Sequence, residues 1–381
     1  LPVDHTRLRV GGYFFLHASS AVFPLTAGFA LFGWRAPLAV GIVIASTLAA
    51  TALWRRIGQR GCQLHYAEMA WMALLLGMML PADLAAHFSI SSIGFWPILP
   101  AAGVALAIVY WLLGGMGASA VHPVVITFLL LLLLYGSAVS GHRALQRDST
   151  FSGDLADTGP PAPVVLSHEP WYRRPIVPNH PAVMSTPAAE TLASYTTGQT
   201  SPDRAWLSLE GLLRDRLPPL EDVILGAQPG PIGAGSAIAV IIGGLLLIYR
   251  QLIDFRVPLL MVLTAFVMLV MLPVPAVITD HPQWHWVVGH AVGIGWPVGI
   301  TLASYEILST PLLFTAFFLA GAPSVRPLTG RGRTIYAVCA GALAGALQLY
   351  VSAAVGSYLA LLAAGVLTPM LDRWVKPKRL V

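Results

Sequence analysis

The stretch GSAIAVIIGGLLLIYRQLIDFRVPLLMVLTAFVMLVML, running from Gly235 to Leu272, decides the fold. It holds two apolar runs separated by a short link that contains Arg250, Asp254 and Arg256. Each run approaches the roughly 17–25 residues that a helix needs to cross a hydrocarbon core of about 30 Å. Lipid offers no partner to backbone N–H and C=O groups, so each run must be helical. Spans are therefore placed at 232–250 and 257–275. Working outward, the same reading places spans at 12–32, 36–54, 67–81, 96–113 and 121–139 before the stretch. After it come spans at 305–321, 334–353 and 355–374.

Composition agrees. Of 381 residues, 56% are hydrophobic and only 10% charged, whereas a soluble domain carries about 25% charged residues. Most of the chain must face lipid or other apolar helices. Arg and Lys gather near 7–9, 55–60, 250–256, 326–333 and 373–379, while Arg35 stands in a short loop on the opposite side. Cytoplasmic loops collect Arg and Lys, so the net charge of +5 reflects topology and not a nucleic-acid surface. The expectation is an all-α integral membrane protein of about ten transmembrane helices, with both termini cytoplasmic and no cleavable signal peptide. A bacterial inner membrane is the expected location.

Residues 1–139 form the first five-helix half, 140–231 a long extracytoplasmic loop or cap, and 232–381 the second half. The loop is rich in Pro, Ser, Thr and Asp, and its length points to a role beyond connection. The apolar piece 285–303 would put Arg326, Arg331 and Arg333 outside if counted as a span. It is read as a re-entrant or interfacial segment. The halves also resemble each other. FGWRAPLAVGIVIAST from Phe32 is similar to IDFRVPLLMVLTAFV from Ile253, and EMAWMALLLGMMLP from Glu68 to EILSTPLLFTAFFLAGAP from Glu306. Five spans per half require the two repeats to be inverted, an arrangement that builds sites near the midplane.

Chemistry-bearing residues are few. Cys62 and Cys339 form no C-x-x-C cluster, so this chain alone cannot hold an iron–sulfur centre. No G-x-G-x-x-G or P-loop is present, and nothing here would bind NADH. His281, His285 and His290 are the densest histidine group and weak candidates for a metal. On a helix they would share one side. Trp284 and Trp286 beside them equally suit an interfacial aromatic belt. His122 follows a glycine-rich turn, Gly114, Gly115 and Gly117, and precedes Pro123 at a helix start. Such a helix start can receive an anion; it is equally an ordinary place for proline. Glu68 and Glu306 begin corresponding spans, and carboxylates at membrane depth are functional candidates.

Four stretches together resemble a known family. LEDVILGAQPGPIGAGSAIAVIIGGLLLIYRQLIDFRVPL from Leu220 is similar to the D subunit of Rnf complexes and the B subunit of the Na+-translocating NADH:quinone reductase. WLLGGMGASAVHPVVITFLLL from Trp111, FFLAGAPSVRPLTGRGRTIYA from Phe317 and LALLAAGVLTPMLDRW from Leu359 follow in family order. The resemblance implies a membrane subunit of an electron-transfer complex coupled to ion movement, with other membrane subunits as partners. It implies flavin, FMN or riboflavin, with FMN esterified to a threonine in a D-x-x-S-G-A-T motif. The equivalent run from His180 to Pro187 keeps only Thr186 and the following proline, which an ordinary Ser-Thr-Pro turn also explains. His122-Pro123 stands where the family has Asn-Pro, and Gly321-Ala322-Pro323 where it has Thr-Asp-Pro. Such departures describe a divergent paralogue. Haem is not expected. A flavin-free scaffold subunit and a transporter or channel on the same fold are the alternatives.

Overall fold

The computed structural model describes residues 10–57, 65–85, 96–115, 121–139, 220–226, 230–279, 281–286, 296–322 and 325–375, with Leu192 and Leu217. Thr186, Gly117 and His290 lie outside the described residues, as does nearly all of 140–219. Helix α1 (Val10–Phe32) ends where Gly33 adopts φ 67° and donates its N–H to the Phe29 carbonyl at 2.9 Å. Glycine reaches this left-handed turn without strain, and α2 (Arg35–Ile57) turns straight back. Helices α3 (Tyr66–Met79), α4 (Ile98–Leu112) and α5 (Pro123–Val139) complete the first group. A short α6 (Leu220–Leu225) precedes α7 (Ala237–Tyr249) and α8 (Arg256–Met271).

The structure is mostly helical but not all-α. The span expected at 257–275 stops at Met271, because Pro273 disfavours helical backbone in the residue before it. An antiparallel hairpin follows, β1 (Pro273–Thr279) and β2 (His281–Trp286). Of residues 285–303, read from sequence as a re-entrant or interfacial segment, 285 and 286 end a strand and α9 (Trp296–Ser309) begins at Trp296, while 287–295 lie outside the described residues. The span expected at 305–321 is instead the end of α9 and a second piece, α10 (Leu312–Leu319), bent from it by 65°. Pro311 at the bend has no N–H to continue the helical ladder. From Thr315 to Leu319 α10 is π-helical. Helices α11 (Gly330–Tyr350) and α12 (Gly356–Trp374) close the chain.

Among the described residues, two helices, α1 from Gly11 and α2, are long and apolar enough to cross a membrane by length and composition, or three if the bent α9–α10 pair is one span. Helices α3, α4, α5, α7 and α8 are shorter apolar helices. They pack through small residues, as close contact without a hydrophobic drive requires. A Cβ at Gly103 of α4 would run into Ser46 Oγ and lie 2.7 Å from the Val43 carbonyl of α2. Thr47 Oγ1 crosses the same contact to the Gly103 carbonyl at 3.2 Å. Gly341 and Gly345 of α11 press the same way on Met261 and Ala265 of α8.

A glycine-rich turn locks the two groups together. Ile232 N donates to the Leu80 carbonyl at 3.2 Å and Gly233 N to the Met78 carbonyl at 2.7 Å. These bonds satisfy carbonyls that the end of α3 would otherwise leave bare. A Cβ on Gly233 would lie 2.7 Å from Met78 and 3.1 Å from Phe314, so the turn sits between α3 and α10.

At the charged end, Arg333 pairs with Asp254 at 3.2 Å and donates to the Pro327 and Leu328 carbonyls at 3.0 and 3.1 Å. Asp372 Oδ1 accepts from Leu328 N at 3.0 Å. Arg333→Ala removes the ion pair and both carbonyl bonds at once, and is expected to destabilise by about 1–3 kcal/mol. Asp254→Asn should cost less, because Arg333 keeps its carbonyl partners. Protease cleavage within the 325–330 loop should rise in the first variant more than in the second; equal cleavage would show that the ion pair alone holds the loop.

Candidate functional site

Three helices bring buried polar side chains to one place. His17 comes from α1, Glu68 and Trp71 from α3, and His122 from the residue before α5. Glu68 and Trp71 are three apart and so share a face of α3. All four are buried, at 3% exposure for His17, 0% for Glu68, 2% for Trp71 and 1% for His122. Their rings touch. His17 and Trp71 meet edge to face at 5.4 Å between centroids, and Trp71 and His122 at 6.4 Å. Phe14 lies 5.5 Å from Trp71, and Tyr13 lies 4.3 Å from His17.

The cluster is short of partners. His17 Nδ1 bonds to the Tyr13 carbonyl at 3.1 Å, but Nε2 has none. Trp71 Nε1 and both ring nitrogens of His122 are likewise buried without a hydrogen bond. Neither oxygen of Glu68 has a donor in ordinary hydrogen-bond geometry; the Tyr110 hydroxyl of α4 is the polar group that acts on it. Buried polar atoms without partners are costly, at about 1–3 kcal/mol each. Several together, on aromatic rings, make this the candidate site, because such atoms call for a partner such as water, an ion or a ligand.

Arg326 in the loop after α10 acts electrostatically on Tyr13 and His17. Burial first, then the Arg333 guanidinium, pushes the Arg326 pKa below its ordinary value, while Tyr13 and Asp254 oppose that shift. The loop thus brings a cation towards the α1 side of the cluster.

Of the expected cofactor-binding candidates Thr186, Gly114, Gly115, Gly117 and His122, the described ones are Gly114, Gly115 and His122, and His122 meets the cluster through its ring. Its carbonyl accepts the Val125 and Ile126 N–H groups at 3.1 and 3.2 Å, starting α5. Gly114 and Gly115 have φ of 82° and 87° and close the end of α4 through the Trp111 and Tyr110 carbonyls. Helix termination alone explains their glycines. His281 and His285 lie in strand β2, so helical spacing does not relate them. Among the described residues, no group of three His, Cys, Asp or Glu is arranged to hold a metal.

His17 and Trp71 were not singled out from sequence. The signals were present: one histidine in an otherwise apolar first span, and a tryptophan three residues after a membrane-embedded glutamate.

Comparison with known proteins places this architecture. The model of the NQR2, RnfD, RnfE family matches residues 4–381. The D subunit of an ion-translocating oxidoreductase complex from Halorhodospira halophila is 28% identical over 155 residues, 41% of this chain and 38% of that protein. The D subunit of a proton-translocating ferredoxin:NAD(+) oxidoreductase complex from Clostridium ljungdahlii is 29% identical over 157 residues, 41% of each chain. These two alignments span about two fifths of the relatives' length. The D subunit of an ion-translocating oxidoreductase complex from Salmonella paratyphi A is 20% identical over 380 residues, 99% of this chain and 96% of that one.

Proposed function

This chain belongs to the NQR2, RnfD, RnfE family, and from that membership we propose that it is the D-type membrane subunit of an ion-translocating, Rnf-like electron-transfer complex. The family match across residues 4–381 carries the reading. Its partners are the other membrane subunits of such a complex, and its setting is the bacterial inner membrane with both termini on the cytoplasmic side.

In this reading the helices form ten spans in two inverted halves. The packing supports it. Helix α2 packs on α3 and α4 as α8 packs on α9 and α11, α4 on α5 as α11 on α12, and the halves meet through α1 on α7 and α5 on α12.

The subunit holds or faces a flavin, which when bound supplies one- and two-electron transfer between partners. The buried atoms suit the edge of such a ring. Trp71 Nε1 is a donor, and the unpartnered nitrogens of His17 and His122 each donate or accept. Phe14 and Trp71 offer aromatic contact, and the Arg326 loop brings positive charge towards the α1 end. Thr186 is the further, covalent attachment point implied by the family motif.

The test is gentle purification from the native membrane with partner subunits retained, followed by a visible spectrum and a denaturing gel. Flavin absorbance together with iron–sulfur partners is the expected result. A complex with intact partners and no flavin would leave the scaffold alternative. Fluorescence that stays with the denatured chain is expected to vanish in Thr186→Ala; its persistence would move the attachment elsewhere.

A further inference from the structure

The loop between α10 and α11 carries an arginine whose backbone is held on both sides. The Val325 carbonyl accepts from Thr368 Oγ1 of α12 at 3.0 Å. The Pro327 and Leu328 carbonyls accept from Arg333 at 3.0 and 3.1 Å, and Leu328 N donates to Asp372 at 3.0 Å. The Arg326 side chain therefore leaves from a fixed point. Among the described residues, no ion pair or side-chain hydrogen bond uses its guanidinium. Asp254, the acid that acts on it, is already engaged. Its Oδ2 pairs with Arg333 at 3.2 Å, and its Oδ1 accepts Arg256 N at 3.2 Å. Two guanidinium groups thus share one carboxylate, and the half-buried Arg326 is the one left short of negative charge.

Arg326 acts electrostatically on two residues of α1, Tyr13 and His17. These are one helical turn apart, with ring centroids 4.3 Å from each other. The Tyr13 hydroxyl and His17 Nε2 are both buried without a partner. His17 Nδ1 faces the Tyr13 carbonyl at 3.1 Å. A carbonyl only accepts, so Nδ1 carries the proton, and Nε2 of the neutral ring is an acceptor. The open groups are therefore a guanidinium, a hydroxyl and an acceptor nitrogen.

This combination selects among anions. A carboxylate or a phosphate diester satisfies the guanidinium and the hydroxyl but offers nothing to Nε2. A singly ionised phosphate monoester satisfies all three. Its charged oxygens accept from Arg326, whose planar fork matches them, and from Tyr13, while its P–OH donates to His17. We propose that Arg326, Tyr13 and His17 form a binding site for a phosphate monoester. Two sources present that group: a phosphatidic-acid headgroup, or the phosphate of FMN with its ring at Trp71 and His122. The second source rests on the flavin reading; the first does not.

Binding to the purified, delipidated full chain is measured by calorimetry with two matched pairs. Short-chain phosphatidic acid is set against phosphatidylglycerol, and FMN against riboflavin. In at least one pair the monoester is expected to bind about tenfold tighter. Arg326→Gln should remove that preference. Tyr13→Phe, which keeps the ring and deletes the hydroxyl, should reduce it severalfold, and decides the matter if the arginine variant does not fold. Arg331→Gln removes an equal charge from an exposed position on the same side and should leave the preference intact. A preference for phosphatidic acid assigns the site to lipid whether or not either flavin binds. A preference for FMN assigns it to the nucleotide. FMN and riboflavin binding equally, with no lipid preference, would keep the flavin reading and overturn the site. Equal losses in the Arg326 and Arg331 variants would overturn it too, because diffuse surface charge would then account for the binding.

Discussion

Gly341→Ala is expected to lower the thermal midpoint of the purified protein clearly, towards the upper end of about 1–3 kcal/mol for an overpacked core. The added Cβ would run into the Met261 carbonyl and stand 2.8 Å from Thr264 Oγ1. A backbone oxygen cannot rotate away as a side chain can, so α8 and α11 must separate. Every neighbouring contact along the pair then loosens, including Gly345 against Ala265. Gly41→Ala supplies the control. Gly41 is exposed on α2 with nothing within 4 Å of an added Cβ, and alanine favours a helix over glycine by about 1 kcal/mol. That variant should match or exceed the parent. Equal loss in both would mean that the α8–α11 contact is not what sets the midpoint.

The second large effect separates packing from binding at one residue. Trp71→Ala empties the centre of the aromatic cluster and is expected to cost about 3–5 kcal/mol. Folded protein should be scarce. Trp71→Phe keeps most of the volume and removes the buried N–H that no protein atom satisfies. On packing grounds alone it should fold nearly as well as the parent, within about 1.5 kcal/mol. If that N–H holds a flavin, the folded Phe variant should lose non-covalently bound flavin on gel filtration. A Phe variant that folds and retains its flavin in full would remove Trp71 from the binding set and leave it as packing.

Much of the helical layout was legible in the sequence, and particular residues show why the remainder was not. Apolar runs gave α1, α2, α7 and α8 because a lipid-facing helix advertises itself residue by residue. The hairpin at 273–286 escaped the same logic. Its first strand, PVPAVIT, is apolar enough to pass for the end of a span; only its two prolines argue for extended backbone. Pro311 was visible too, but a proline in a long helix can mean a mild kink or a break, and tertiary packing chooses between them. Glu68 and Glu306 stood out as charges in apolar runs. Their neighbours did not, because a missing partner is a property of three dimensions: Trp71 Nε1 is orphaned only by how α3 meets the helices around it. Gly114 and Gly115 stood out as a glycine-rich turn before His122, and their positive φ values serve to end α4.

The bonds from Ile232 and Gly233 to Leu80 and Met78 bear on how the chain is made. A ribosome finishes α3 long before it reaches the turn that completes it. Until then the last carbonyls of α3 stand bare in the membrane, so the nascent first half is an unfinished client that the insertion machinery must shelter. Two fragments divided within 140–219 should therefore accumulate only when made together, and the first alone should be degraded. Quality control would in effect read whether the second half has arrived.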